Sequence, residues 1–242
     1  MTCLSRPKKA LTSDYICALQ DKDNIMIQRL LVEINEKGAI LVAVSKTKTP
    51  GEILQVYRHG VRDFGENKVQ ELLEKHDKLP EDVRWHMVGH LQSNKVRYLA
   101  PFIHLIHSVD SKKLLLEVEK QAEKFQRTID VLLQVKISIE PTKYGLDQAE
   151  IDQFLADPDL NSLEHVQIRG LMGMASFVED QRQIRQEFRN LKTCFDRLKD
   201  TYFSNNDSFD TLSMGMSGDY QLALEEGSTM VRIGTLVFGA RT

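Results

Sequence analysis

The chain is short of cysteine, of clustered positive charge and of long apolar runs, and each shortage excludes a class of protein. Its three cysteines, Cys3, Cys17 and Cys194, are an odd number, and no two have the CxxC spacing of a metal or redox site. They read as reduced thiols of a cytoplasmic protein, and no metal site is expected. Lys and Arg total 32 against 35 Asp and Glu, a formal net charge of −3, with the basic residues dispersed. A nucleic-acid binder would gather them on one face. No run approaches the roughly 20 apolar residues that cross a bilayer. The opening MTCLSRPKKALTSDY has basic residues but no apolar run behind them, so it does not read as a signal peptide. No low-complexity segment or linker interrupts the chain.

What is present is ordinary globular composition, 41% hydrophobic and 28% charged, in 242 residues. That length suits one (β/α)₈ barrel, which takes roughly 250 residues. Eight short apolar runs read as strands: AILVAVS (39–45), RDFGE (62–66), RWHMV (84–88), HLIHSV (104–109), DVLLQVKI (130–137), HVQIRGLMGM (165–174), FDTLSM (209–214) and MVRIGTLVF (230–238). Helical patterns separate them, over 50–58 behind Thr49, 67–78, 94–100, from Asp110 or Ser111 to Arg127, and over 148–156, 180–200 and 218–226. Strands apolar on both faces and alternating with helices indicate a parallel sheet. Eight units without a break favour a closed barrel, read as one domain over 1–242. An N-terminal helix with Ile25, Ile27, Leu30, Leu31 and Ile34 on its apolar face, stopped at Gly38, is expected to cover the gap left in the outer ring after the eighth strand.

Working residues of such a barrel stand at the C-terminal ends of its strands. Lys46 follows the first strand directly. A lysine partly desolvated there is drawn toward the neutral amine that attacks carbonyls. Lys48 shares its parity but lies closer to Pro50 and the next helix, and ranks second. After the seventh strand comes SMGMSGD. Ser213 and Ser217 offer hydroxyls, and Gly215 and Gly218 allow backbone N–H groups close to an anion. The helix that follows turns its positive end the same way, and Gly234 and Thr235 add donors within the eighth strand. Because the eighth strand closes against the first, these residues form a lysine-plus-phosphate site. Arg232, among apolar neighbours, needs a partner. Either an ion pair with Glu66 or a donor to the ring nitrogen of a bound cofactor would serve.

Seven segments together resemble the pyridoxal phosphate homeostasis proteins: LVAVSKTKTP, FGENKVQELLEK, WHMVGHLQSNK, the ExxKYG of Glu140 to Gly145, RGLMGMA, LSMGMSGDY and GSTMVRIGTLVFGAR. The resemblance runs from about residue 38 to the end. It implies the fold of the N-terminal barrel of alanine racemase, with pyridoxal 5′-phosphate carried as a Schiff base on Lys46. It implies that Ser213, Ser217, Gly234 and Thr235 hold the phosphate, that Arg232 faces the pyridine nitrogen, and that Asn67 and His86 lie near the ring. Lys143 matches a lysine at the barrel mouth that assists cofactor release, a possible second attachment point. Two positions depart from the family pattern: Lys68 stands in place of a common tyrosine, and Lys136 in place of a common asparagine. The chain also stops just after FGART, without the family's usual tail.

A carrier that controls the level of a reactive aldehyde, and an enzyme, are both compatible with such a site. Racemisation needs proton transfer on both faces of the substrate, and Lys46 serves only one. In alanine racemase a tyrosine from a second domain serves the other, and here only Tyr144 and Tyr220 fall in mouth loops. An arginine at the ring nitrogen disfavours the pyridinium that transaminase chemistry uses. Both points favour a non-catalytic carrier concerned with vitamin B6 homeostasis. The ligands and partners expected are pyridoxal phosphate and the apoenzymes that need it, with no nucleic acid and no membrane. The resemblance implies a monomer, and no conspicuous apolar helix face is left over. A racemase-like enzyme is the alternative, and a lysine-imine aldolase acting on a sugar phosphate the third reading.

Overall fold

The computed structural model describes residues 13–138 and 145–239. Helix α1 (Ser13–Glu36) precedes a regular alternation: β1 (Ile40–Val44), α2 (Pro50–Arg58), β2 (Asp63–Glu66), α3 (Val69–His76), β3 (Arg84–Met87), α4 (Val96–Leu99), β4 (Leu105–Val109), α5 (Lys112–Lys124), β5 (Ile129–Gln134), α6 (Gln148–Leu155), β6 (Val166–Met172), α7 (Gln181–Tyr202), β7 (Thr211–Ser213), α8 (Tyr220–Glu225), β8 (Met230–Ile233) and a short α9 (Thr235–Phe238). The strands form a closed parallel barrel in chain order, sealed by pairing of Ile40 to Ala43 with Met230 to Ile233.

The helices begin where the sequence places caps. The Thr49 hydroxyl accepts from Glu52 N at 3.3 Å while Glu52 accepts from Thr49 N at 2.8 Å, a capping box for α2. Ser111, rather than Asp110, caps α5 by accepting from Leu114 N. On α7 the stripe Ile184, Phe188, Leu191, Cys194, Phe195 and Leu198 is buried against the barrel. Cys194 is a free thiol of this core, and burial pushes its pKa up. Helix α1 does fill the gap in the outer ring. Ile27, Leu30 and Ile34 are buried, and Glu33 accepts hydrogen bonds from Tyr220 and Gln221 of α8, both at 3.0 Å. Ile25, expected on the buried face, is 52% exposed.

Three of the boundary differences bear on the site. Strand β8 ends at Ile233, and 235–238 coil into α9, so Gly234 and Thr235 stand beyond the strand and not within it. Strand β5 stops at Gln134 because the chain pairs back on itself: Leu146 N donates to Gln134 O at 2.8 Å and Lys136 N to Leu146 O at 3.0 Å. Strand β7 is reduced to three residues.

The barrel interior is two-sided. An apolar set, Val42, Leu105, Leu132, Met172 and Met230, packs together inside it. Beside them stand the buried polar side chains Asp63, His86, His107, Ser213 and Arg232. At the N-terminal end of the strands Arg84 pairs with Asp63, and Arg169 with Asp130 and Asp210.

Candidate functional site

At the C-terminal ends of the strands lies a cavity of about 430 Å³, within the size range of small-ligand pockets. Six of the eight residues that the resemblance implies around the cofactor line it: Lys46, Asn67, Ser217, Arg232, Gly234 and Thr235. Lys48 and Gly218 line it too, with Val44, Val88, Met174, Phe177, Met216 and Phe238 as its apolar wall. Among the described residues the lining carries three basic side chains and no carboxylate.

The turn that presents Lys46 is held from outside the barrel. Ser45 Oγ donates to Glu66 Oε1 at 2.6 Å, and Lys75 Nζ donates to Ser45 O at 2.9 Å and to Glu66 Oε1 at 2.7 Å. Burial pushes the Glu66 carboxyl above its ordinary range, with the bonds from Lys75 and Ser45 opposing. Thr47 has φ 67°, the left-handed region, and its N–H donates to Glu71 Oε2 at 2.6 Å. Burial would raise the Glu71 pKa, but the bonds from Thr47 and Lys75 outweigh it and hold the group below its ordinary value. Lys48, the second-ranked lysine, is committed to Glu52 Oε1 at 3.1 Å and Phe238 O at 3.2 Å.

Across the cavity the β7 and β8 ends are joined by a hydrogen bond from Gly234 N to Ser217 Oγ at 3.3 Å. Asp219 closes the preceding turn by accepting from Met216 N. Gly215 is buried beneath this loop, not in the cavity. Its φ of 96° and the 2.6 Å from an added Cβ to the Ala223 Cβ require glycine there. Gly89 is required for close approach, since its Cβ would stand 2.4 Å from Asn67 O. The helix after this loop, α8, has only six residues.

Arg232 is not paired with Glu66, which belongs to Lys75 on the outer face of the sheet. It donates to Ser213 Oγ at 2.6 Å and to Gly173 O at 3.0 Å. Burial lowers its pKa to about 10, so it keeps its charge at neutral pH. Ser213 and His86, both named from the sequence, do not line the cavity. Both are wholly buried, Ser213 directly behind Arg232 and His86 deeper in the barrel against Asp63 and His107. Lys143 and Tyr144 lie outside the described residues.

A sequence profile described as alanine racemase, N-terminal domain, matches residues 24–242. The pyridoxal phosphate homeostasis protein of Aquifex aeolicus strain VF5 is 42% identical over 207 residues, 85% of this chain and 89% of that one. The protein of the same name from Vibrio alginolyticus is 41% identical over 206 residues, 83% of this chain and 86% of that one. The chain belongs to the pyridoxal phosphate homeostasis protein family. Among solved structures, PipY of Synechococcus elongatus PCC7942 with PLP bound is 35% identical, with a TM-score of 0.78 over 88% of this chain and 100% of that one. Alanine racemase of Clostridium difficile 630 in complex with cycloserine shares the fold at 14% identity and a TM-score of 0.71, over 90% of this chain and 60% of its own length.

Neither family departure lines the cavity. Lys68 is exposed before α3, and Lys136 is half-buried where the chain leaves β5. Tyr220, a mouth residue by sequence, turns its hydroxyl to Glu33 of α1 and does not line the cavity. Sequence reading missed the apolar wall, and Phe177 at its rim is 79% exposed. Met172 and Met174 alternate along RGLMGMA and could have marked the inward face. It also missed Glu71 and Lys75, whose signal is only their spacing on α3. Among the described residues no helix is long and apolar enough to cross a membrane.

Proposed function

We propose that this protein binds pyridoxal 5′-phosphate as a Schiff base on Lys46 and acts as a cofactor carrier in vitamin B6 homeostasis, without robust catalysis of its own. The observation that carries this reading is the meeting of Lys46, Asn67, Ser217, Arg232, Gly234 and Thr235 around one cavity with no carboxylate among its described lining residues. The donor set fits the cofactor part by part. Lys46 offers the amine that condenses with an aldehyde. Ser217 and the backbone at Gly218, Gly234 and Thr235 offer donors to a phosphate. Arg232 offers an N–H to the ring nitrogen, with Ser213 supporting it from behind and His86 acting only at a distance.

The bound cofactor would supply an electron sink, and Arg232 works against it. A guanidinium has no acceptor, so the facing ring nitrogen stays unprotonated and the sink is weakened. Among the described residues, no tyrosine lines the cavity to serve as a second base. The relatives named for homeostasis support the carrier over the racemase. A monomer, cytoplasmic residence and delivery to apoenzymes belong to the same proposal.

The test is the visible spectrum with pyridoxal phosphate, followed by borohydride reduction and mapping of the modified lysine. A yellow species reduced onto Lys46 and absent from Lys46→Ala, with no racemase turnover, is the expected result. No colour and no adduct at Lys46 would sink the reading.

A further inference from the structure

A continuous hydrogen-bonded chain runs through the barrel from its base to the cavity floor. Arg84 Nε donates to Asp63 Oδ1 at 2.7 Å. His86 Nε2 lies 3.0 Å from the same oxygen, and His86 Nδ1 lies 2.9 Å from His107 Nε2. His107 Nδ1 lies 3.1 Å from Ser213 Oγ, which accepts from Arg232 Nη1 at 2.6 Å.

With one hydrogen on each imidazole, the carboxylate end fixes the direction of every link. A guanidinium can only donate, and an ionised carboxylate can only accept. Asp63 is ionised: burial would raise its pKa, but the bonds from Arg84 and His86 prevail and hold it well below the ordinary range. Between these ends stand three groups that each pass one hydrogen. Ser213 accepts from Arg232 with one lone pair, and its own O–H goes to His107 Nδ1, which carries no hydrogen in this arrangement. His107 then carries its hydrogen on Nε2 and gives it to His86 Nδ1, and His86 carries its hydrogen on Nε2 and gives it to Asp63. Burial, with the Arg232 charge nearby, also holds His107 neutral.

We propose that His107 and His86 are positioning residues: by claiming the Ser213 hydrogen they make Ser213 a permanent acceptor, and so aim Arg232 at the ring nitrogen of the cofactor. The role rests on the cofactor reading above. It assigns work to His86 one step further from the cofactor than the sequence places it, and to His107, which the sequence did not single out.

Two measurements test it. Long-range ¹H–¹⁵N spectra of the wild-type protein without cofactor should show His86 and His107 both as the Nε2–H tautomer. Either one as Nδ1–H or doubly protonated overturns the chain. Next, the wild type should bind pyridoxal phosphate about tenfold more tightly than its 1-deaza analogue, whose ring nitrogen is a C–H, as expected for one hydrogen bond to a charged donor. In His107→Phe most of that preference should vanish while both ligands still attach to Lys46. General loosening would weaken both ligands alike and leave their ratio at the wild-type value, which would overturn the proposal. Should His107→Phe fail to fold, Asp63→Asn, whose amide can also donate, should show an Nδ1–H fraction at His86 and a reduced preference, and an unchanged tautomer there would count against the chain. Wild-type protein that binds neither ligand defeats the cofactor reading and this role with it, even with both tautomers as stated.

Discussion

Thr47 and Glu71 are bound to each other across the first two βα units: the Thr47 N–H donates to the Glu71 carboxylate at 2.6 Å while Thr47 holds φ at 67°. A β-branched residue in that region is strained by about 1–2 kcal/mol. Glu71, also bound by Lys75, secures the strained residue next to Lys46. Glu71→Ala should therefore lower stability by about 1.5–3 kcal/mol, the usual loss for a bond to a charged group. It should also slow attachment of pyridoxal phosphate, measured by stopped-flow absorbance, because Lys46 loses its fixed approach.

Lys75→Met should be more damaging. It leaves the wholly buried Glu66 without its cation, and Glu66 Oε2 already has no hydrogen-bond partner. Breaking a buried pair in this way costs about 3–5 kcal/mol. The pH dependence gives a sharper signature. Glu66 in the folded protein is raised above the ordinary 4.5, so the folded state binds the proton more tightly than the unfolded one. Stability then falls as pH rises from about 4.5 through the folded value. In Lys75→Met that decline should reach to higher pH, as urea titrations at several pH values would show.

His107 predicts the opposite slope. Burial holds it neutral well below its ordinary 6.5, with His86, Arg232 and His104 facing it. The unfolded chain takes up this proton below pH 6.5 and the folded one does not. Its stabilising term is present above 6.5 and is lost as pH falls, by about 2 kcal/mol between pH 7 and 5 for one fully suppressed histidine. His107→Phe should flatten the stability profile in that window, and an unchanged slope would show that His107 titrates normally in the fold.

Ser217→Ala should weaken pyridoxal phosphate about tenfold and leave pyridoxal, which lacks the phosphate, unaffected. Equal weakening of both by equilibrium dialysis would move Ser217 away from the phosphate.

The sequence made the architecture legible because each strand is a compact apolar run and each gap holds a capped helix. It made Lys46, Ser217 and Arg232 legible because strand ends converge in a barrel. The boundaries it misread have local causes. The run MVRIGTLVF is apolar throughout, so nothing in its pattern announces that backbone curls into α9 after Ile233. Ser213 reads as a phosphate-binding hydroxyl from its motif, but strand parity turns it inward under Arg232. Glu66 looks a natural partner for Arg232 until parity sends it to the outer face with Lys75. Side-chain direction along a strand, more than residue type, decided these cases.

The pairing of β1 with β8 gives the cavity a history as well as a shape. Lys46 is among the first residues of the barrel to leave the ribosome, and Arg232, Gly234 and Thr235 are among the last. A growing chain presents its lysine long before the opposite wall of the pocket exists. The aldehyde can be gripped by its phosphate and ring only once the eighth strand has emerged and the seam has shut, so tight capture of the cofactor would report a closed barrel.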